Sequence, residues 1–188
     1  GNGSNMQAIA EACARGDIDA EIVLVIANEP EAGVLARARR LGIPHTCIDH
    51  RDFADRAAYD AALRQRLRAA RARLVVLAGF MRILTDEFVG EFCGSLLNIH
   101  PSLLPNYPGL DTHRRALAAG DTRTGATVHF VIPALDAGPA IIQEAVSIRA
   151  DDDAASLAAR VQAAEHRIYP TAIRWWVEGC LELRDSQA

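Results

Sequence analysis

Short apolar runs alternate with amphipathic stretches along most of the chain. Residues 21–27, 74–78 and 95–97 are near-continuous apolar runs, which is typical of strands buried on both faces of a sheet. Residues 31–41 and 55–72, by contrast, have the spacing and composition of helices. Strands that alternate with helices predict a doubly wound, largely parallel α/β sheet in a single domain. Further helices are predicted at 6–15, at 112–119 and after 151–153, and further strands at 45–48, 124–132 and 140–148.

The strand that follows residue 94 ends in a polar pair. Pro101 cannot donate a ladder hydrogen bond, so this strand should stop at His100. Because side chains alternate along a strand, Asn98 and His100 should project to one side and Ile99 to the other. An amide and an imidazole would then lie side by side at a strand's carboxyl end, where open α/β sheets bind ligands. A solvated strand end is the alternative interpretation.

The last helix begins after an acidic run, Asp151 to Asp153, which supplies an N-cap and charges that suit the helix dipole. Leu157 and Val161 start an apolar stripe at helical spacing along it. Pro170 removes one backbone donor, so it should kink or divide this helix.

Composition narrows the possible functions. The chain has 188 residues, 50% of them hydrophobic and 23% charged, which fits one globular domain. No apolar run is long enough to span a membrane and no signal peptide is evident, so we expect a soluble, cytoplasmic protein. The net charge of −4, without a basic cluster interleaved with aromatic residues, argues against a nucleic-acid partner.

The ionisable and sulfur-containing residues exclude several kinds of site. All 20 basic residues are arginine, so a lysine-dependent phosphate loop and a lysine Schiff base are excluded. Phosphate would have to be held by backbone amides, hydroxyl groups or arginine. The four cysteines lack metal-binding spacing, so we expect idle thiols and neither a metal nor a disulfide. They are Cys13, Cys47, Cys93 and Cys180.

The first five residues form a glycine-rich turn before a helix. Ser4 or Asn5 is a plausible N-cap for that helix. Such a turn presents backbone amides to an anion, and the helix dipole adds to the attraction. A phosphate site is therefore one interpretation, and a flexible terminal tail is the other.

Three motifs in order together carry a family resemblance. They are Gly1-Asn2-Gly3-Ser4-Asn5, Asn98-Ile99-His100-Pro101-Ser102-Leu103-Leu104-Pro105 and Leu135-Asp136-Ala137-Gly138-Pro139. With them the chain resembles the folate-dependent formyltransferases over nearly its whole length, most closely those that act on glycinamide ribonucleotide. The resemblance implies transfer of the formyl group of 10-formyltetrahydrofolate to the amine of 5'-phosphoribosylglycinamide in purine (IMP) biosynthesis. The reaction would pass through a tetrahedral intermediate and need no metal.

The resemblance also implies roles for individual residues. Asn98 would donate to the developing oxyanion, His100 would add a donor and a proton, and Asp136 would favour the charged imidazole and relay the proton. The ribonucleotide would contact Gly3, Ser4, Asn5, Gln162 and Glu165. The folate would contact Arg56, Met81, Arg82, Ile83, Leu84, Asn98, Ala134, Leu135 and Asp136.

Three positions need separate comment. The family has an apolar strand before the phosphate turn, so we expect residues 1–188 to be one formyltransferase domain whose first strand lies upstream of Gly1. Some relatives carry His where this chain has Asp111. His129 lies between Val128 and Phe130 in a predicted strand, which suggests a structural role.

The sequence leaves other functions open. A formyltetrahydrofolate hydrolase would transfer the formyl group to water and would not need the ribonucleotide-binding residues. A methionyl-tRNA formyltransferase shares the Ser-Leu-Leu-Pro element but carries a second, basic domain for tRNA. A catalytically silent folate or nucleotide binding module is a third possibility. We expect small-molecule substrates, and either a monomer or a homodimer.

Overall fold

The computed structural model describes residues 2–183, and in this range strands alternate with helices as the sequence predicts. The strands are β1 (Val25–Ala27), β2 (His45–Cys47), β3 (Val75–Leu77), β4 (Leu96–His100), β5 (Arg123–Phe130) and β6 (Ala140–Ser147). The α-helices are α1 (Ser4–Ala14), α2 (Gly33–Arg40), α3 (Arg56–Ala69), α4 (Asp86–Glu91), α5 (Thr112–Ala118) and α6 (Ala154–Val177). No helix within residues 2–183 combines the length and apolar character of a membrane span.

The strands form two sheets. β1 and β2 pair in parallel, and a four-stranded sheet has the order β3-β4-β5-β6. β3 and β4 are parallel, whereas β5 is antiparallel to both β4 and β6. The prediction of an α/β fold is confirmed, and β5 and β6 add an antiparallel part at one side of the sheet. Because β4 and β5 are antiparallel, the end of β4 lies beside the middle of β5.

β1 is shorter than the apolar run 21–27 that predicts it. Its partner β2 begins only after Pro44, whose carbonyl accepts the Val25 amide at 2.8 Å. The preceding residues, including Ile22 and Leu24, line a mainly apolar cavity of about 240 Å³ between β1 and β3. The strand prediction for residues 21–24 is therefore wrong for the described part of the chain, since nothing there pairs with them.

The main core lies between α6 and the four-stranded sheet. α6 contributes buried side chains that pack against Leu97 and Ile99 of β4 and against Ala126 and Val128 of β5. The buried α6 residues in this cluster are Leu157, Val161, Ile168, Tyr169, Ala172 and Ile173. This packing buries one face of β4, and the opposite face carries Leu96, which is buried in a second core cluster, followed by Asn98 and His100.

Of the two predicted effects of Pro170, a kink or a division, the division is wrong, because α6 continues through Pro170 as one helix. Proline in a helix interior costs about 3 kcal/mol. Here the residues on both sides of it, Tyr169 and Ala172, are completely buried. Burial of the apolar face across the proline outweighs the lost hydrogen bond.

α4 was not predicted, although its start carries a recognisable signal. The Thr85 hydroxyl oxygen accepts the Phe88 amide, and Asp86 and Glu87 occupy the first turn. A side-chain N-cap followed by acidic residues favours a helix. The helix is only six residues long and contains Gly90, which hides its periodicity.

The Tyr169 hydroxyl joins α6 to two strands at the level where they end. It donates to the Leu77 carbonyl at 2.7 Å and lies 3.1 Å from the Leu97 carbonyl oxygen. Leu77 is the last residue of β3, and Leu97 precedes Asn98 in β4. One buried hydroxyl thus connects α6 to the ends of β3 and β4, next to Asn98.

We predict that Tyr169→Phe lowers the free energy of unfolding by about 1 to 2 kcal/mol, because the buried carbonyls of Leu77 and Leu97 lose the hydroxyl that donates to them. Tyr59→Phe is the matched control. Tyr59 is equally buried, but its hydroxyl has no hydrogen-bond partner among residues 2–183, so its loss should be neutral or stabilising. Urea unfolding of both variants measures the difference. Equal effects would show that the Tyr169 hydrogen bonds contribute nothing.

Candidate active site

The end of β4 has the alternation predicted from the sequence. Leu97 and Ile99 belong to the core cluster beneath α6. Asn98 is partly exposed on the other face, and His100 is buried at the strand's end. The predicted amide and imidazole therefore share one face.

Asp136 lies in the connection between β5 and β6, against this face. Its Oδ2 atom accepts the Gly109 amide at 2.8 Å and lies 3.4 Å from His100 Nδ1. Its Oδ1 atom lies 3.9 Å from His129 Nε2, and the side chain is only 8% exposed. Gly138 allows the connection to fold this closely, since a Cβ there would lie 1.8 Å from the Phe130 carbonyl oxygen.

The hydrogen bonds of His100 assign its two ring nitrogens. Nε2 lies 2.9 Å from the Tyr107 carbonyl oxygen, which can only accept, so Nε2 carries a proton and donates. Nδ1 faces the Asp136 carboxylate at 3.4 Å. Nδ1 is therefore the nitrogen at which His100 can gain or release a proton.

His129 belongs to the same cluster, although the sequence suggested a structural role. It lies opposite Asn98 in the β4–β5 register, and a β-bulge between Val128 and His129 interrupts the pairing with β6. His129 Nδ1 donates to the Phe130 carbonyl at 2.8 Å. Nε2 is then left to accept the Asn98 amide NH₂ at 3.2 Å.

Burial decides the charge of His129. It lowers the pKa of the imidazole, and this effect exceeds the opposing influence of the Phe130 hydrogen bond and of Asp136. His129 is therefore neutral near pH 7. A neutral ring can accept from Asn98, and this fixes the orientation of the Asn98 amide.

A third histidine, His113 of α5, also lies close to the cluster. Burial lowers its pKa, and the charge of His100 lowers it further. Its Nδ1 atom is buried without a hydrogen-bond partner in the described part of the chain. His113 was not among the residues predicted from the sequence to belong to the site.

The glycine-rich turn leads directly into α1, but its N-cap is Gly3. The prediction of Ser4 or Asn5 as the cap is wrong, because both lie inside the helix. Gly3 has φ 79°, and a Cβ at this position would lie 2.7 Å from Val34 Cα. Asn2 Oδ1 accepts the Ser4 amide at 3.0 Å. Gly1, the first residue of the predicted motif, lies outside the described residues.

Asn5 connects the turn to α6. Its Nδ2 atom donates to Glu165 Oε2 at 2.8 Å, and its Oδ1 atom is buried without a partner among residues 2–183. Burial raises the pKa of Glu165, against the smaller effects of Asn5 and of His100. Gln162 lies one turn earlier on α6 and is half-buried. The structure thus brings two separate parts of the predicted ribonucleotide site together.

Arg37 adds positive charge to this turn and was not predicted from the sequence. Its Nε atom donates to the Asn2 carbonyl at 2.6 Å, and its guanidinium also contacts the Gln7 side chain. Since α2 and α1 are not adjacent in sequence, no local motif reveals this contact.

The loop after β3 exposes apolar side chains. Met81 is 75% exposed and Ile83 is 56% exposed, whereas Leu84 is buried in the core, so only its backbone can face a ligand. The Arg82 guanidinium stacks over the Tyr59 ring at 5.3 Å. Arg56 is exposed at the start of α3, and Ala134 and Leu135 are exposed beside Asp136.

Comparison with known proteins accounts for this arrangement. The family model described as formyl transferase matches residues 1–173. The chain belongs to the formyl transferase family. The cluster of Asn98, His100, His129 and Asp136 therefore lies in a formyl transferase fold.

Individual proteins match over at least 95% of the chain. The phosphoribosylglycinamide formyltransferase of Escherichia coli is 47% identical over 188 residues, which is 100% of this chain and 89% of that protein. The crystal structure of glycinamide ribonucleotide transformylase 1 from Symbiobacterium toebii has a TM-score of 0.96 and 44% identity, covering 98% of this chain and 87% of that one. The trifunctional purine biosynthetic protein adenosine-3 of Drosophila melanogaster is 50% identical over 182 residues, but the chain spans only 13% of its length.

We predict that the stability of this formyl transferase falls as the pH decreases from 7 to 5, and that His129 contributes to the fall. Since burial lowers the pKa of His129, the unfolded chain takes up a proton below about pH 6.5 before the folded protein does. His129→Gln should reduce the slope by up to about 1.4 kcal/mol per pH unit.

Urea unfolding at pH 7, 6 and 5 tests this prediction. The difference between the two slopes isolates His129 from other groups such as Glu165, whose raised pKa acts in the opposite direction. Parallel curves for the two proteins would mean that His129 takes up its proton equally in both states.

Proposed function

We propose that this protein transfers the formyl group of 10-formyltetrahydrofolate to the amine of 5'-phosphoribosylglycinamide in purine biosynthesis. The observation that carries the proposal is that Asn98, His100 and Asp136 lie together at the carboxyl end of β4, while Asn5 of the glycine-rich turn donates to Glu165. Relatives of matching length are named for this activity. 10-Formyltetrahydrofolate supplies the activated formyl group, and the ribonucleotide amine is the nucleophile, so no side chain has to attack.

Asn98 stabilises the negative charge that develops on the formyl oxygen. Its amide nitrogen has two hydrogens, and one of them is held by His129 Nε2. The second hydrogen remains to donate to the oxygen. Because His129 fixes the amide plane beforehand, the donor needs no reorganisation when charge appears.

His100 moves the proton through Nδ1. Its Nε2 proton is held by the Tyr107 carbonyl, so only Nδ1 exchanges during the reaction. Asp136 faces Nδ1 and stabilises its protonated form. A protonated Nδ1 can deliver a proton towards the leaving nitrogen, directly or through water, and the proton that the attacking amine loses restores the protonated Nδ1.

The ribonucleotide subsite combines α1 with α6. The first amides of α1 and the nearby Arg37 suit the phosphate, because a helix N-terminus and a guanidinium both favour an anion. The Glu165 carboxylate and the half-buried Gln162 suit the ribose hydroxyls. Asn5 Oδ1 is buried without a partner in the described part of the chain, which supports its role as an acceptor for the ligand.

The folate subsite is supported by unburied apolar surface beside the catalytic cluster. Met81, Ile83 and Leu135 are all more than half exposed, and a flat heteroaromatic ring would cover such side chains. Arg82 Nε is buried without a partner among residues 2–183, which fits a polar group on the ligand. We propose that the folate contacts the backbone of Leu84, the exposed residue Ala134 and the exposed side chain of Arg56.

We also retain the proposal of a strand upstream of Gly1. The apolar cavity of about 240 Å³ between β1 and β3 supports it, because side chains from both strands line this space. An extended segment there would pair with both strands and join the two sheets. Gly3 and Leu84 lie on the wall of this cavity, but none of Asn98, His100 and Asp136 lines it, so it is not the place where the formyl group is transferred.

We predict that Asn98→Ala lowers kcat by roughly 100- to 1,000-fold, the usual effect of losing one oxyanion donor. Asn106→Ala is the matched control, since Asn106 is exposed and uses its carbonyl, not its side chain, to accept the Ser102 hydroxyl. The assay follows tetrahydrofolate, formate and formylated ribonucleotide separately. Nearly full activity of Asn98→Ala would contradict the assigned role.

The same assay tests the reaction itself. We expect release of tetrahydrofolate to require the ribonucleotide and to yield its formyl derivative. Formate production without the ribonucleotide would indicate a hydrolase, and binding of both ligands without turnover would indicate a silent module. Either result would overturn the proposed function.

We predict that Glu165→Ala raises KM for the ribonucleotide by at least about tenfold, as expected for a lost charge-assisted hydrogen bond. KM for the folate should stay within about twofold, because Glu165 contacts only the ribonucleotide in the proposed complex. Glu178→Ala, at the exposed end of the same helix, is the control. Equal changes in both KM values would mean that Glu165 acts through the general fold.

A further inference from the structure

The main chain at residues 107–110, hereafter the clamp segment, contacts both partners of the catalytic ion pair. The Tyr107 carbonyl accepts the His100 Nε2 proton at 2.9 Å. The Gly109 amide donates to Asp136 Oδ2 at 2.8 Å. Since these contacts come from residues only two apart, the clamp segment sets the position of His100 relative to Asp136.

The clamp segment is not part of a helix or strand, so other contacts must hold its conformation. Tyr107 has φ 54°, in the left-handed region that side chains other than glycine rarely adopt. Such conformations persist only where the surroundings enforce them. The Tyr107 hydroxyl donates to Asp121 Oδ2 at 2.7 Å, which anchors one end of the segment.

Arg115 of α5 holds the rest of the clamp segment. Its NH1 atom donates to the Pro108 carbonyl at 2.6 Å and to the Leu110 carbonyl at 3.2 Å. Its guanidinium carbon lies 5.2 Å from the centre of the Tyr107 ring. One side chain therefore contacts three of the four residues in the segment.

α5 gives Arg115 a fixed base. Thr112 and Ala116 of this helix are buried. The guanidinium is planar and permanently charged, so it can stack on an aromatic ring while it donates to carbonyls. A lysine ammonium has no such plane, and it would reproduce only part of these contacts.

We propose that Arg115 is a positioning residue, which acts through the clamp segment to hold His100 and Asp136 in reactive alignment. The inference rests on the proposed formyl transfer and adds a residue to it. Arg115 itself is exposed and touches neither the imidazole nor the carboxylate. Its loss should therefore affect the chemical step and leave substrate binding unchanged.

The kinetic test compares Arg115→Ala, Arg115→Lys and Arg114→Ala. We expect Arg115→Ala to lower kcat by about 5- to 20-fold with both KM values within twofold, because small misplacements of catalytic groups slow chemistry strongly. Arg115→Lys should recover part of the loss. Arg114→Ala is the matched control, since the neighbouring Arg114 is exposed and its one ion pair among residues 2–183 is with Asp111, at 3.7 Å. Higher KM values with unchanged kcat would overturn the proposal.

A double-mutant cycle tests whether Arg115 acts through His100. In a His100→Gln background, Arg115→Ala should change single-turnover rates by less than about twofold, since the group that it positions is gone. An undiminished effect in that background would mean that Arg115 acts elsewhere.

A measurement without substrates separates this inference from the proposed function. In the free protein, Arg115→Ala should accelerate solvent exchange of the His100 Nε2 proton, observed by NMR, because its acceptor Tyr107 is less firmly held. Exchange as slow as in the unaltered protein would refute the positioning role whatever the reaction is. Absence of ribonucleotide-dependent turnover in the unaltered protein would instead refute the proposed function.

Discussion

The Asp136 carboxylate is the group on which the rest of the site depends. It is almost completely buried, and a buried carboxylate is tolerated only when its oxygens have partners. The Gly109 amide donates to Oδ2, and His100 Nδ1 becomes a second donor to this oxygen when it is protonated. Oδ1 lies 3.9 Å from His129 Nε2, which carries no proton to donate to it. The requirement to pair this one anion brings together the end of β4, the main chain at Gly109 and the β5–β6 connection.

The two histidines beside Asp136 have different roles because their other nitrogens bond differently. His100 donates through Nε2 to Tyr107, which leaves Nδ1 to exchange a proton. His129 donates through Nδ1 to Phe130, which leaves Nε2 to accept from Asn98. Backbone carbonyls thus assign one histidine to proton transfer and the other to holding the oxyanion donor.

The elements that depend on local sequence were predictable, and those that depend on distant contacts were not. Pro101 and strand alternation are local, so the end of β4 and the placement of Asn98 and His100 could be predicted. The role of His129 depends on the β4–β5 register and a β-bulge, and that of Arg37 on the packing of α2 beside α1. The helix through Pro170 and the glycine N-cap of α1 likewise follow from tertiary packing, which overrides local preferences.

The most direct test of this account is to observe the ring nitrogens of the two histidines by ¹⁵N NMR between pH 5 and 8. The account predicts that Nε2 of His100 and Nδ1 of His129 remain protonated across this range, and that any change at His100 occurs at Nδ1. Loss of the proton from His100 Nε2, or protonation of His129 only at Nε2, would contradict the assignment of donors on which the mechanism depends.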